Sequence, residues 1–149
     1  DGGLIYGASG EERKRFDVQD GLALVAARRA GLEIAIMSGR ASPAVTRRMS
    51  ELGLAEIHQG VDDKALAARA VLDRLGLTWT QVAAMGDDLP DLPLLRAAGL
   101  ALAPANAVPE VRKAAHWIAR RSGGAGAVRD AVEMILKARK AWPPPDRRT

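Results

Sequence analysis

The chain contains no cysteine. That excludes disulfides, thiolate metal sites and a cysteine nucleophile, and it suits a reducing compartment such as the cytoplasm. Aromatic residues make up only 3% of the sequence, so a core has to be assembled from Leu, Val, Ile and Ala. No apolar run approaches membrane-spanning length and no secretory leader is expected, which points away from a membrane role. A basic face is missing as well, despite a net charge of +4. Lys137, Arg139, Lys140, Arg147 and Arg148 stand against Asp146 alone, and that tail accounts for the whole surplus. Residues 1–136 balance, so nucleic acid is not an expected partner. A length of 149 residues allows one domain with a real core and is short for two.

What is present is a regular alternation. Leu4-Ile5-Tyr6 and Lys14-Arg15-Phe16 flank the turn Ala8-Ser9-Gly10-Glu11 and read as a β-hairpin that needs a surface to lie on. Asp20 is placed as the cap of a helix through Leu22, Val25 and Ala26 to Gly31. Strands follow at Leu32 to Met37, Ala55 to His58, Val82 to Met85, Leu100 to Ala103 and His116 to Ile118. Helices fall between them: from Ser42-Pro43 to Gly53, Asp62 to Gly76, Pro90 to Ala98, Val108 to Ala115 and Ala125 to Lys140. Strands alternating with helices predict an α/β fold, a Rossmann-like parallel sheet wrapped on both faces. The domain is expected over 1–140, with 141–149 a disordered basic tail.

Three strand ends carry the chemistry. Met85-Gly86 runs into Asp87, Asp88 and Asp91, and carboxylates this close repel unless a cation shares the site. One of the three serves equally well as a helix cap. A cation here would be hard and oxygen-liganded, and Mg2+ fits because it takes few protein carboxylates and fills its shell with water and phosphate oxygen. Ser38-Gly39-Arg40 offers a hydroxyl and an amide to a phosphoryl oxygen and a guanidinium to the substrate, although a serine at a strand end also closes a local turn. Arg48 lies two helical turns beyond Arg40 on about the same face. Lys64 falls in the first turn of a helix, where the dipole disfavours a cation, so it needs an anion, for which Asp62 or Asp63 would serve. Gly123-Gly124-Ala125-Gly126 lacks Walker spacing and reads as a flexible linker into the last helix. His58 and His116 read as structural.

In order, Ser38-Gly39-Arg40, Lys64 and Gly86-Asp87-Asp88 with Asp91 resemble motifs two to four of the haloacid dehalogenase superfamily. Asp1 to Tyr6, Phe16 to Gly21, Gln59-Gly60 and Gly123 to Arg129 narrow the resemblance to its capless branch, the 3-deoxy-D-manno-octulosonate 8-phosphate (Kdo 8-phosphate) phosphatase family. The resemblance implies a Mg2+-dependent phosphomonoesterase working through an aspartyl-phosphate. It makes Asp87 a metal ligand supported by Asp88 and Asp91, and Ser38 and Lys64 the groups that hold the phosphoryl. Asp17, Val18, Gln19, Asp20 and Gly21, with Gly39, Arg40, Arg48 and Lys64, would bind the sugar acid. It further implies a homotetramer in which hairpin and C-terminal loop cover a neighbour's site.

The family's first motif, Asp-x-Asp-Gly-x-x-Thr on a central strand, is expected immediately before Asp1, so this chain alone is expected to be inactive. Gln19 and Asp17 stand where arginine and asparagine are usual, which makes that segment less positive. The expected reaction is hydrolysis of Kdo 8-phosphate in lipopolysaccharide synthesis, in the cytoplasm. A nonulosonate 9-phosphate phosphatase is the neighbouring alternative, and a non-catalytic oligomerisation module of a CMP-sialate synthetase is the rival from another class.

Overall fold

The structure is a computed structural model, and it describes residues 2–144. The hairpin pairs β1 (Ile5–Tyr6) with β2 (Glu12–Arg13) antiparallel, Tyr6 lying opposite Glu12. Its second strand lies nearer the turn than the apolar pattern indicated. The first helix, α1 (Val18–Arg29), begins before the expected cap. Asp17 has the extended backbone of a cap and its carboxylate accepts from the amides of Gln19 at 2.7 Å and Asp20 at 3.4 Å. Asp20 instead lies in the first turn and accepts from the Arg129 amide at 2.8 Å.

β3 (Ala35–Ser38), α2 (Pro43–Glu51), β4 (Glu56–Gln59), α3 (Lys64–Leu75) and β5 (Ala83–Met85) follow. A 3₁₀ turn over Leu89–Asp91 leads into α4 (Leu92–Ala97), then β6 (Leu100–Ala103), α5 (Pro109–Ala114), β7 (Trp117–Ile118) and α6 (Ala127–Ala138). Ser42 takes the cap position of α2, but its hydroxyl makes no capping bond. Its amide donates to Gln59 Oε1 at 2.7 Å, and Pro43 at the first helical position needs no donor.

The parallel strands form two groups. β3 pairs with β4, with Ser38 opposite Gln59, and β5, β6 and β7 pair in that order, with Met85 opposite Leu102. Among the described residues no ladder joins β3 to β5. Between them lies a cavity of about 220 Å³, lined by Ile34, Ala35 and Met37 on one side and by Val82, Ala83 and Met85 on the other. From α3 it is lined by Lys64, Ala68 and Val71. β3, although apolar, is accordingly partly exposed along its length. The fold is the expected mixed α/β arrangement of parallel strands and helices, interrupted at one place.

Two apolar clusters hold it. In one, Ala23, Ala26 and Ala27 of α1 meet Val132 and Leu136 of α6, small side chains that let the helices approach closely. In the other, Leu95 of α4 and Val111 of α5 pack on Ala84, Ala101 and Ala103 of the strands. Leu95 is 1% exposed. Leu95→Ala is expected to lower unfolding free energy by about 2–5 kcal/mol, read by denaturant melts of the natural protein, because the alanine strands around it cannot fill the hole.

Residues 141 and 142 open the segment expected to be disordered. Ala141 and Trp142 pack against the α1–α6 cluster, and the Arg129 guanidinium lies over the Trp142 ring, 4.5 Å from its centroid. Residues 145–149 of the tail lie outside the described residues.

Candidate active site

Loops at the carboxyl ends of β3, β5, β6 and β7 converge where open α/β sheets place their ligands. With the hairpin they bound a cavity of about 520 Å³. Ser38 and Arg40 line it after β3, Gly86 and Asp87 after β5, Pro104 and Asn106 after β6, and Gly123, Ala127 and Val128 after β7. The hairpin side adds Leu4, Ile5, Arg13, Lys14 and Arg15 of the same chain.

The three aspartates have separate tasks. Asp91 is 5% exposed, and its Oδ2 accepts from the amides of Asp87 at 2.8 Å and Asp88 at 3.2 Å, which bends the backbone around it. Its Oδ1 pairs with the Lys64 ammonium. Gly86 is required by this packing, since a Cβ there would lie 2.4 Å from that of Asp91. Asp88 Oδ1 accepts from the Leu89 amide at 2.7 Å and caps the 3₁₀ turn. The Asp87 carboxylate has no partner among the described residues and lines the cavity. Part of the expected repulsion is therefore relieved inside the protein, by Lys64 and two amides.

Lys64 has its anion, and it is Asp91. Asp63 instead caps α3 through the Leu66 amide at 2.9 Å. Lys64 lines the slot between β3 and β5 rather than the larger cavity, and Met85 borders both. Ser38 Oγ donates to the Arg40 carbonyl at 2.9 Å and accepts from the Arg40 amide at 3.1 Å, so the local-turn reading and exposure to the cavity coexist. Arg40 donates to Tyr6 Oη at 3.1 Å, which ties the hairpin to the β3 loop.

Other expected site residues face elsewhere in the single chain. The Arg48 guanidinium lies against Gly21 and donates to Glu51 at 3.3 Å. Asp17 and Asp20 are occupied by backbone amides, and Gln19 Oε1 accepts from Arg121 at 2.7 Å. Val18 is 76% exposed. None of these residues lines the 520 Å³ cavity. Sequence reasoning missed Asn106, Tyr6 and the Arg13-Lys14-Arg15 run. Lys14 and Arg15 of that run read only as part of the hairpin's second strand. Asn106 lies in a short loop with no signal of its own.

The cavity is rich in cations with spare donors, Arg15 and Arg40 among them, beside one unpartnered carboxylate. Lys14 is 3.1 Å from Glu12, and its hydrogen bond holds that carboxyl below the ordinary range. Such a balance suits an anion with more than one charge. Among the described residues no group of three or more His, Cys, Asp or Glu is arranged to hold a metal. What these residues offer a hard cation is the Asp87 carboxylate.

The family model for haloacid dehalogenase-like hydrolases matches residues 50–131. That match, over more than half of the chain, defines it as a hydrolase of the haloacid dehalogenase class. The Kdo 8-phosphate phosphatase of Escherichia coli K12 is 39% identical over 137 residues, covering 91% of this chain and 73% of the relative. The crystal structure of the Moraxella catarrhalis Kdo 8-phosphate phosphatase with magnesium, phosphate and Kdo superposes with a TM-score of 0.92 at 42% identity, over 95% of this chain and 81% of that one. The cobalt-bound enzyme of Haemophilus influenzae gives 0.90 at 36% identity, over 95% and 85%. The chain belongs to the Kdo 8-phosphate phosphatase family.

Proposed function

We propose that the protein hydrolyses Kdo 8-phosphate to Kdo and inorganic phosphate with Mg2+. The observation that carries this reading is the free Asp87 carboxylate, which borders one cation-lined cavity with the Ser38 hydroxyl at the ends of parallel strands. The names of the relatives point to the same substrate, and the Moraxella structure was solved with magnesium, phosphate and Kdo.

Asp87 fits a hard divalent cation, being an anionic oxygen donor with no competing partner. Bound there, the ion would neutralise charge on the phosphoryl oxygens and polarise phosphorus towards attack. Ser38 and Lys64 hold the phosphoryl group, and positioning of this kind supplies most of the catalysis in phosphoryl transfer. Asp91 fixes the Lys64 ammonium and, through its two amide bonds, the direction of the Asp87 backbone. Arg40 exchanges its Tyr6 contact for the sugar acid. Arg48 and the segment Asp17, Val18, Gln19, Asp20 and Gly21 complete the substrate surface in a homotetramer, where a second copy brings these faces to a cavity. The site works in the cytoplasm.

The nucleophile is a carboxylate on a further parallel strand seated between β3 and β5. The 220 Å³ slot supports this, being flanked by two strands with no ladder between them and opening beside Lys64 and Met85. The carboxylate oxygen attacks phosphorus, the ester P–O bond breaks, and the sugar hydroxyl leaves with a proton from a general acid. Water then cleaves the acyl phosphate and regenerates the carboxylate.

Phosphate release from Kdo 8-phosphate by the full-length natural protein tests the reading. Activity is expected with Mg2+, loss in EDTA, and recovery on adding the ion back. Undiminished turnover in EDTA contradicts it, as does a protein inert to this ester under all these conditions.

A further inference from the structure

The glycine-rich segment after β7 is a built wall rather than a linker. Gly123, Ala127 and Val128 line the cavity, and the segment is held from three directions. The Gly123 amide donates to Asn106 Oδ1 at 2.8 Å, and the Gly124 carbonyl accepts from Arg15 Nη2 at 2.9 Å. The third hold is Arg121, just before the loop. Its Nε and Nη2 donate to Asp130 Oδ1 at 2.9 and 2.7 Å, its amide donates to Asp130 Oδ2 at 3.1 Å, and Nη1 donates to Gln19 Oε1 at 2.7 Å. The Arg121 carbonyl accepts from the Ala105 amide at 3.0 Å. One residue thus joins the β6 loop, the first turn of α6 and the first turn of α1.

We infer that Arg121 is a positioning residue for substrate binding, a clamp that fixes the glycine wall of the cavity against α1 and α6. The glycines fit this role. Gly126 has φ +101, and a Cβ there would lie 2.3 Å from Arg121 Nη1, so the loop can pass under the guanidinium only where no side chain intervenes. Burial alone would raise the Asp130 carboxyl, but the hydrogen bonds from Arg121 outweigh it and hold the group below its ordinary value, so the pair stays ionised at neutral pH. Arg121 does not itself line the cavity, and it acts through Gly123, Ala127 and Val128. Losing it frees the wall without removing a group that touches the reacting phosphoryl. The effect therefore falls on KM more than on kcat. This inference rests on reading the 520 Å³ cavity as the substrate site.

The test uses the full-length natural protein carrying Arg121→Ala, Arg121→Lys or Asp130→Asn, with kinetics on Kdo 8-phosphate and hydrogen exchange across residues 122–127. Arg121→Ala is expected to raise KM about tenfold with kcat within about threefold, and to speed exchange of the loop amides at least tenfold. Arg121→Lys, which keeps the charge but offers one ammonium for two partners, should recover part of both effects, and Asp130→Asn should reproduce them in weaker form. A fall in melting temperature with KM and loop exchange unchanged assigns Arg121 to stability alone and overturns the inference. If wild type does not act on Kdo 8-phosphate, the function proposed above fails, while the exchange measurement still decides whether Arg121 holds the wall. If Arg121→Ala does not fold, Gln19→Leu cuts only the α1 end of the clamp, and unchanged loop exchange in that variant overturns the inference.

Discussion

Asp87→Asn in the full-length protein is expected to lower turnover of Kdo 8-phosphate by about a thousandfold, equivalent to ~4 kcal/mol at the transition state. The substitution keeps the size of the side chain and removes an anionic ligand. A neutral amide oxygen binds a hard cation weakly, so the charge that must be neutralised on the transferring phosphoryl is left exposed. Stability should hardly change, because the Asp87 carboxylate lines the cavity and has no hydrogen-bond or ion-pair partner among the described residues. The neighbouring substitution behaves differently. Asp91→Asn leaves the Lys64 ammonium, whose side chain is 18% exposed, without its counter-ion. It should cost about 3 kcal/mol or more of folding free energy as well as activity. Steady-state kinetics with a melt on each variant separates the two. Near-normal turnover of Asp87→Asn at low Mg2+ would remove this aspartate from the metal site.

A polypeptide limited to residues 1–149 is expected to show no turnover, at least about a thousandfold below the full-length protein. The cavity is lined by one carboxylate, and if Asp87 holds the cation no carboxylate nucleophile is left among the residues that line it. Asp91 is buried under Lys64 and two amides, and Asp88 caps a turn, so neither is free to attack. The same polypeptide leaves β3 and β5 facing a slot whose apolar lining and strand edges invite association, so poor yield and self-association are expected too. Adding the relevant strand as a separate peptide should reduce both faults, since the proposed contact is a parallel ladder between two existing strands. Robust phosphatase activity from purified residues 1–149 would mean that the nucleophile lies within them.

Much of this arrangement is legible in the sequence because strand and helix patterns are local. Short apolar runs ending in glycine or aspartate gave the parallel strands, and Pro43 and Gly76 marked helix ends that the structure keeps. Cap placement was less secure. Asp17 and Asp20 are both plausible caps; in the fold Asp17 has the extended backbone and accepts the Gln19 and Asp20 amides, while Asp20 is taken up by the Arg129 amide from across the fold. The same limit applies to the site. Ser38, Arg40 and Asp87 could be picked out because each follows a strand, where ligands collect. The partner of Lys64 could not, because Asp91 is distant in sequence and two nearer aspartates offered themselves. Nor could Arg121, whose partners lie on two helices at opposite ends of the chain. The glycine loop looked like a linker since glycine signals freedom in isolation. Here the missing side chains make room for a guanidinium.

The most direct measurement is the specificity constant of the full-length protein with Mg2+ for Kdo 8-phosphate set against a nonulosonate 9-phosphate, each checked for abolition by Asp87→Asn. kcat/KM is expected to be at least about tenfold higher for Kdo 8-phosphate, a preference of ~1.4 kcal/mol, with both activities lost in the variant. A preference for the nine-carbon ester would contradict the substrate, and Mg2+-independent activity that survives Asp87→Asn would contradict the site.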